Sequence, residues 1–257
     1  MSKKTRKNKQ INHQKKRHAK NLRRDQKKSQ RSRATVPKIS KQDGRVFKDN
    51  CIYRFFPEEW QAEALTNGDV WISTLETCRC YENPGQGDPE EATMTYNSGT
   101  ITGDGDKPDV QLIARRSEIS IGKDCTNITM SNNTCHTRLP DGYVLCTTDD
   151  FSPEKLSTTF GMYCVKINNP RLFFDRVTEC LKQQTKLKKS VLGKVLYDDR
   201  FYKHTENPPG PIGFVKPRDK YSDQSEVRML WIPENSVSLK PFSLSCHKVS
   251  ELCERIA

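Results

Sequence analysis

The segment YSDQSEVRMLW, residues 221–231, sets an amide, an acid and a base at alternate positions: Gln224, Glu226 and Arg228. If a short polar turn leads into a β-strand here, the three form one row, with Val227, Met229 and Trp231 on the opposite face. Such a row is either the wet side of a strand, tied into a cross-strand ion pair, or a place where the Glu226 carboxylate does chemistry. Two other positions raise the same question. Arg54 stands between Tyr53 and Phe55 among strong strand formers, where a guanidinium either fills space over aromatic rings or grips an anion. Thr147 and Thr148 close the run YVLCTT at its polar end, as suits a strand terminus.

Sequences that cradle phosphate or expose a nucleophilic serine are absent: there is no GxxxxGK[ST], no strand-linked GxGxxG and no GxSxG. Beyond the N-terminal region, histidine occurs only at His136, His204 and His247. A histidine-dependent hydrolase has few places to reside, with His136 beside Cys135 as its one candidate. Cys78 and Cys80 are one residue apart, no C-x-x-C occurs, and the pairs Cys135–His136 and Cys246–His247 do not make a zinc framework, so no metal is expected. The loop acids Asp88, Glu90 and Glu91, taken with Glu226, offer a metal-dependent nuclease as a further reading.

In chain order, an arginine on an early strand, a threonine pair on a middle strand and Gln-x-Glu opening a late strand form a pattern. It resembles the arginine–serine–glutamate group of mono-ADP-ribosyltransferases, although the middle motif reads Cys-Thr-Thr rather than Ser-Thr-Ser. The resemblance implies NAD as cofactor, gripped in the central cleft of a split sheet. It makes Glu226 the carboxylate that stabilises positive charge on the ribose as the bond to nicotinamide breaks. Arg54 becomes the guanidinium for the dinucleotide's phosphates. Thr147 or Thr148 then positions the acid and the sugar, Gln224 approaches the acceptor, and Phe160 and Tyr163, with Tyr53, line the cofactor pocket. Over residues 50–232 the layout is also similar to an uncharacterised family of bacterial and phage proteins. That likeness runs through YRFFPEEWQAEALTNGDVWIST, GDPEE, YVLCTT, FGMYCVKINNPRLFFDRV and FVKPRDKYSDQSEVRMLW, and implies no activity.

The elements that must carry these residues follow from pattern. VFKDNCIYRFF reads as a strand. PEEWQAEALTNG reads as a short helix with Pro57 and two acids in its first turn and Gly68 at its end. DVWIST is a second strand, and CYENPGQGDPEEA a loop. From Gly103 to Asp150 the pattern is strand and turn, with VQLIARRSEISIG, CTNITM and GYVLCTTDDFS as strands. FGMYCVKIN precedes a helix, NPRLFFDRVTECLKQQTKLKK, capped by Asn169 and started by Pro170, with Phe173, Val177, Cys180 and Leu181 in one stripe and a lysine-rich end. VLGKVLY, IGFVK, EVRMLWI and SVSLKPF add strands. Trp60, Trp71, Phe173, Phe174, Phe214 and Trp231 read as core. Strands around a few short helices, without βαβ alternation, give an α+β fold with a mostly antiparallel or mixed, split sheet, in a single domain over residues 46–257.

Residues 1–45 precede that domain as a basic arm. Of the chain's 44 Lys and Arg, 16 lie in the first 38 residues against one acid, Asp25, so this stretch carries +15 and the remainder −3. A segment so polar buries too little to offset its ordering entropy, and disorder is expected. It suits a polyanion, whose condensed counterions it releases. Lys15, Lys16, Arg17, Arg23 and Arg24 lack interleaved aromatics, which favours phosphate backbone over base stacking. The expected partners are nucleic acid or the ribosome, plus a macromolecular acceptor. No apolar anchor accompanies the charges, so no membrane partner is expected. Ten cysteines without an export signal read as reduced thiols of a cytoplasmic chain. Two functions stand foremost: an ADP-ribosyltransferase-like enzyme delivered by its arm, suited to phage–host conflict, or a non-enzymatic nucleic-acid-binding protein of phage or bacterial origin whose body is a scaffold.

Overall fold

The computed structural model describes residues 50–83, 85–235 and 238–257; the basic arm, with Lys15, Lys16, Arg17, Arg23 and Arg24, lies outside them. In chain order the strands are β1 (Cys51–Phe56), β2 (Asp69–Thr74), β3 (Thr93–Asn97), β4 (Thr100–Gly103), β5 (Ile128–Ser131), β6 (Thr134–Arg138), β7 (Tyr143–Thr148), β8 (Tyr163–Asn168), β9 (Leu187–Lys194), β10 (Leu196–Tyr197), β11 (Phe201–Lys203), β12 (Val215–Lys216), β13 (Glu226–Pro233), β14 (Phe242–Ser245) and β15 (Cys253–Arg255). The helices are α1 (Glu59–Thr66), α2 (Leu75–Cys80), α3 (Pro108–Arg116), α4 (Pro153–Phe160), α5 (Pro170–Gln184) and α6 (Arg218–Tyr221). The expected α+β class, with mostly antiparallel pairing and short helices, is the class observed. None of the described helices is long and apolar enough to cross a membrane.

The main sheet branches at β7. One edge of β7 pairs along its whole length with β13, from Tyr143↔Trp231 to Thr148↔Glu226, and β9 continues beyond β13. The opposite edge is shared. Its first two residues pair with β2 (Tyr143↔Thr74, Val144↔Ser73), which leads on to β14. Its last residue pairs with β1 (Thr148↔Tyr53), which leads on to β8 and β15. Between these contacts Leu145, Cys146 and Thr147 have no strand partner on that edge among the described residues. The sheet is therefore split there.

Strand alternation sorts the two faces. Val227, Met229 and Trp231 join Leu145, Ile52, Val165 and Ile167 in the larger core, over which α5 lays Phe173, Phe174, Val177 and Leu181. The Trp231 ring stacks on Phe174, 5.4 Å between centroids, and its indole N–H donates to Thr178 Oγ1 at 2.7 Å, so the buried nitrogen is satisfied. Leu230 and Val144 face the other way, toward Phe214, Ala92 and Leu75. Glu226 and Arg228 share that second face.

Several expectations need correction. VQLIARR is helical, in α3: Pro108 opens it, Val110, Ile113 and Ala114 fall on one face against Met130, and Arg115 and Arg116 close it. That is a 3.6-residue period and not an alternation. α5 ends at Gln184 with only Lys182 in its last turn; the following lysines enter β9, because pairing with β13 outweighs helix propensity there. α1 begins at Glu59, so Pro57 precedes it. Trp60 and Trp71 are 64% and 52% exposed and are not core, whereas Phe173, Phe174, Phe214 and Trp231 are buried. Finally, Cys180 and Cys246 form a disulfide between α5 and the segment after β14. The apolar stripe of α5 brings Cys180 against that segment, and the expectation that every thiol is free does not hold.

Candidate active site in the fork of the sheet

Where β1 and β2 diverge from β7, a cavity of about 670 Å³ opens, within the range of roughly 300–1,000 Å³ common for small-molecule sites. Arg54 and Glu226 both line it. So do Tyr53, Thr147, Thr148, Phe160 and Gln224. Tyr163 does not: it begins β8, packs on the larger core, and carries Arg255 over its ring at 5.5 Å. Phe160 ends α4 at a sharp turn through Gly161, whose φ of 107° and whose approach to the Phe56 carbonyl leave no room for a Cβ.

Glu226 is the first residue of β13 and only 4% exposed, so its row is not a wet strand face. Arg228 donates from Nε to Glu226 Oε1 at 2.7 Å, and Lys216, from β12, lies 2.8 Å from Oε2. Arg228 also grips Glu91 bidentately, at 2.6 and 3.0 Å, and Lys216 stands 3.8 Å from Glu91. Two acids and two bases thus close into a neutral buried quartet, the arrangement in which buried charge is tolerated. Burial alone would raise the Glu226 carboxyl, but the charges and hydrogen bonds of Arg228 and Lys216 override it and hold the group well below the usual carboxylate range. Burial likewise lowers Lys216, and the charges of Glu226 and Glu91 carry it back above its ordinary value.

The threonine pair holds the backbone that carries the acid. Thr147 Oγ1 donates to the Val227 carbonyl at 2.9 Å, and Thr148 Oγ1 contacts the Ser225 carbonyl at 3.4 Å. These two carbonyls flank Glu226. Its own N–H donates to Tyr197 Oη at 2.7 Å. Ser225, in the left-handed region at φ 43°, turns the chain sharply before the strand. Gln224 consequently sits in the preceding 3-10 turn and not on the strand row; its Nε2 donates to the Gly85 carbonyl at 2.7 Å. It still reaches the cavity.

Arg54 lines the cavity from β1. Nη1 donates to the Trp71 carbonyl at 3.2 Å, bridging β1 to β2 across the split, and the guanidinium lies 5.1 Å over the Phe56 ring. Burial lowers its pKa to about 10, partly countered by Cys146, so it is charged at neutral pH. A guanidinium has five N–H groups, of which one on Arg54 Nη1 makes the contact to Trp71. Cys78 and Cys146 share the cavity wall; the hydrogen bond between them lowers Cys78 and raises Cys146 well above its ordinary value.

Of the loop acids, Asp88 pairs bidentately with the buried Arg200, Glu91 belongs to the quartet, and Glu90 is exposed beside Thr93. The two buried carboxylates are each already matched to a guanidinium. Among the described residues no group of three or more His, Cys, Asp or Glu is placed to hold a metal ion. Sequence reasoning missed Lys216 and Tyr197, and took Glu91 for a loop acid of a nuclease rather than a partner of Arg228. Only Lys216, a cation closing the apolar strand segment GFVK, left a signal. Comparison of the chain with family models, curated proteins and solved structures gave no match.

Proposed function

We propose that the chain is an ADP-ribosyltransferase-like enzyme that uses NAD to modify a macromolecular target, with its chemistry in the fork of the sheet. The observation that carries this reading is that Arg54 and Glu226 line one cavity of dinucleotide-compatible size. Arg54 offers a charged fork for the diphosphate. Glu226, ionised and fixed by the quartet, offers a preorganised negative charge where the ribose becomes positive as the nicotinamide bond breaks. Thr147 and Thr148 act through the backbone, fixing both carbonyls beside the acid. Gln224 stands at the cavity wall, where an acceptor would enter.

The basic arm then serves delivery: +15 over 38 residues favours a polyanion such as nucleic acid or the ribosome, in a cytoplasmic setting and in phage–host conflict. The same charge concentration supports a second reading, in which the arm is the functional part of a non-enzymatic nucleic-acid-binding protein. Nicotinamide release from NAD by the full chain and by the Glu226→Gln variant tests the first reading. The second expects no release, and polyanion binding that weakens steeply with salt and disappears when residues 1–45 are removed.

A further inference from the structure

Two free thiols meet on the wall of the fork, one from a helix and one from a strand. Cys78 comes from α2, and Cys146 from β7 at the stretch left without a strand partner between the contacts to β1 and β2. Both are half-buried, both line the cavity, and they are in hydrogen-bond contact with each other. Both also pack against the apolar cluster of Leu75, Val144 and Leu230. The quartet is adjacent, since Cys146 stands opposite Arg228 in the β7–β13 register. The two sulfurs are chemically unequal. The hydrogen bond with Cys146 holds the Cys78 thiol below its ordinary value, and the charges of Arg228 and Lys216 act the same way, against burial and Glu91. The bond to Cys78, burial and the charge of Glu226 instead keep the proton on Cys146. A thiol inclined to ionise, on a cavity wall and touching a protonated thiol, has the layout of an attacking cysteine with its resolving partner. The transferase chemistry proposed above uses neither.

From this we infer that Cys78 and Cys146 form a site of oxidation by a small hydroperoxide, in which Cys78 attacks and Cys146 resolves. The Cys78 sulfur attacks the outer peroxide oxygen, so that an S–O bond forms as the O–O bond breaks. The peroxide is reduced and leaves as an alcohol or water carrying the Cys78 proton, and the sulfur is oxidised to a sulfenic acid. The Cys146 sulfur then displaces the hydroxyl. An S–S bond forms, the S–O bond breaks, and the hydroxyl departs as water with the Cys146 proton. The disulfide ties α2 to β7 across the cavity wall. Neither step needs NAD, so the inference stands apart from the transferase reading.

The test is treatment of the folded full chain with hydrogen peroxide, followed by alkylation and peptide mapping by mass spectrometry. A parallel sample contains dimedone, which traps sulfenic acid. The expected result is the loss of two free thiols and the appearance of a Cys78–Cys146 linked peptide, beside the Cys180–Cys246 peptide present from the start. Cys146→Ser should carry dimedone on Cys78, whereas Cys78→Ser should carry none on Cys146. In the wild type Cys78 should react at least about tenfold faster than the exposed Cys80 and Cys125, because a thiol held lower is more ionised at neutral pH. In urea that preference should vanish, since the fold creates it. Two thiols that stay free in peroxide, or oxidation of Cys80 or Cys125 ahead of Cys78, overturn the inference. So does a sulfenic acid on Cys78 that Cys146 never resolves in the wild type, or a preference for Cys78 that survives in urea. The wild-type readings decide the matter even where a serine variant fails to fold.

Discussion

Glu226 and the residue preceding Arg54 are in register across three strands: Glu226 pairs with Thr148, and Thr148 pairs with Tyr53. Two strand spacings of about 4.8 Å thus separate the backbone of the acid from that of β1. The gap that β2 leaves by pairing only with Tyr143 and Val144 turns this separation into a cavity.

The quartet gives Glu226 a structural role beside the reactive one proposed for it, and the two separate by substitution. Glu226→Gln leaves one buried cation unmatched and is expected to lower stability by about 3 kcal/mol. Adding Lys216→Met removes the surplus charge and restores most of it, leaving the Glu91–Arg228 pair intact. Denaturant melts of the wild type, the single variants and the double variant check the cycle; additivity of the two losses would count against the quartet.

The acid limb of the rate is the next expectation. The folded pKa of Glu226 lies below its ordinary 4.5. Its contribution to stability is therefore complete above that value and is lost only as the pH falls through the lower folded pKa. Lys216 and Arg228 are raised, so their contributions persist until alkaline pH. NAD hydrolysis to water should accordingly show no limb from these groups between about pH 5 and 9. An acidic limb in that window, abolished when Lys216 is changed, contradicts the assignment.

Arg54 is expected to act through its fork and not merely its charge. Arg54→Lys keeps the charge but loses bidentate geometry, and should weaken ADP-ribose binding about tenfold or more while leaving the melting temperature within a few degrees. Calorimetry and a thermal melt of the same preparation check this. Wild-type affinity in the lysine variant would remove the phosphate role.

The Cys180–Cys246 disulfide closes a separation of 66 residues. Its loss through Cys180→Ser, or through a strong reductant, is expected to cost roughly 2–4 kcal/mol, with the loop-closure model giving the upper figure. A melt with and without reductant checks it. An unchanged midpoint would mean that the pairing does not hold the fold.

What the sequence made legible was local. The period of two in EVRMLWI put Trp231 inside, and Asn169 caps its helix by accepting from the Leu172 N–H at 3.2 Å. That an early and a late strand meet at one cavity was also legible, and Arg54 and Glu226 both line it. The quartet was not. Glu91 and Lys216 are 125 positions apart in the chain, and a loop acid carries no local sign that a distant guanidinium will bury it. Trp60 and Trp71 misled for the same reason: hydrophobicity predicts burial, but only the path of β2 beside an open fork leaves them bare. Helix α3 was read as a strand because its apolar residues were taken as alternating, whereas Val110, Ile113 and Ala114 share one helical face.

The most direct measurement is nicotinamide release from NAD by the full chain, set against the folded Lys216→Met, Glu226→Gln double variant. The account predicts release by the wild type and a loss of at least about a hundredfold in the double variant. Equal rates in the two, or a wild type that neither binds nor cleaves NAD, would contradict it.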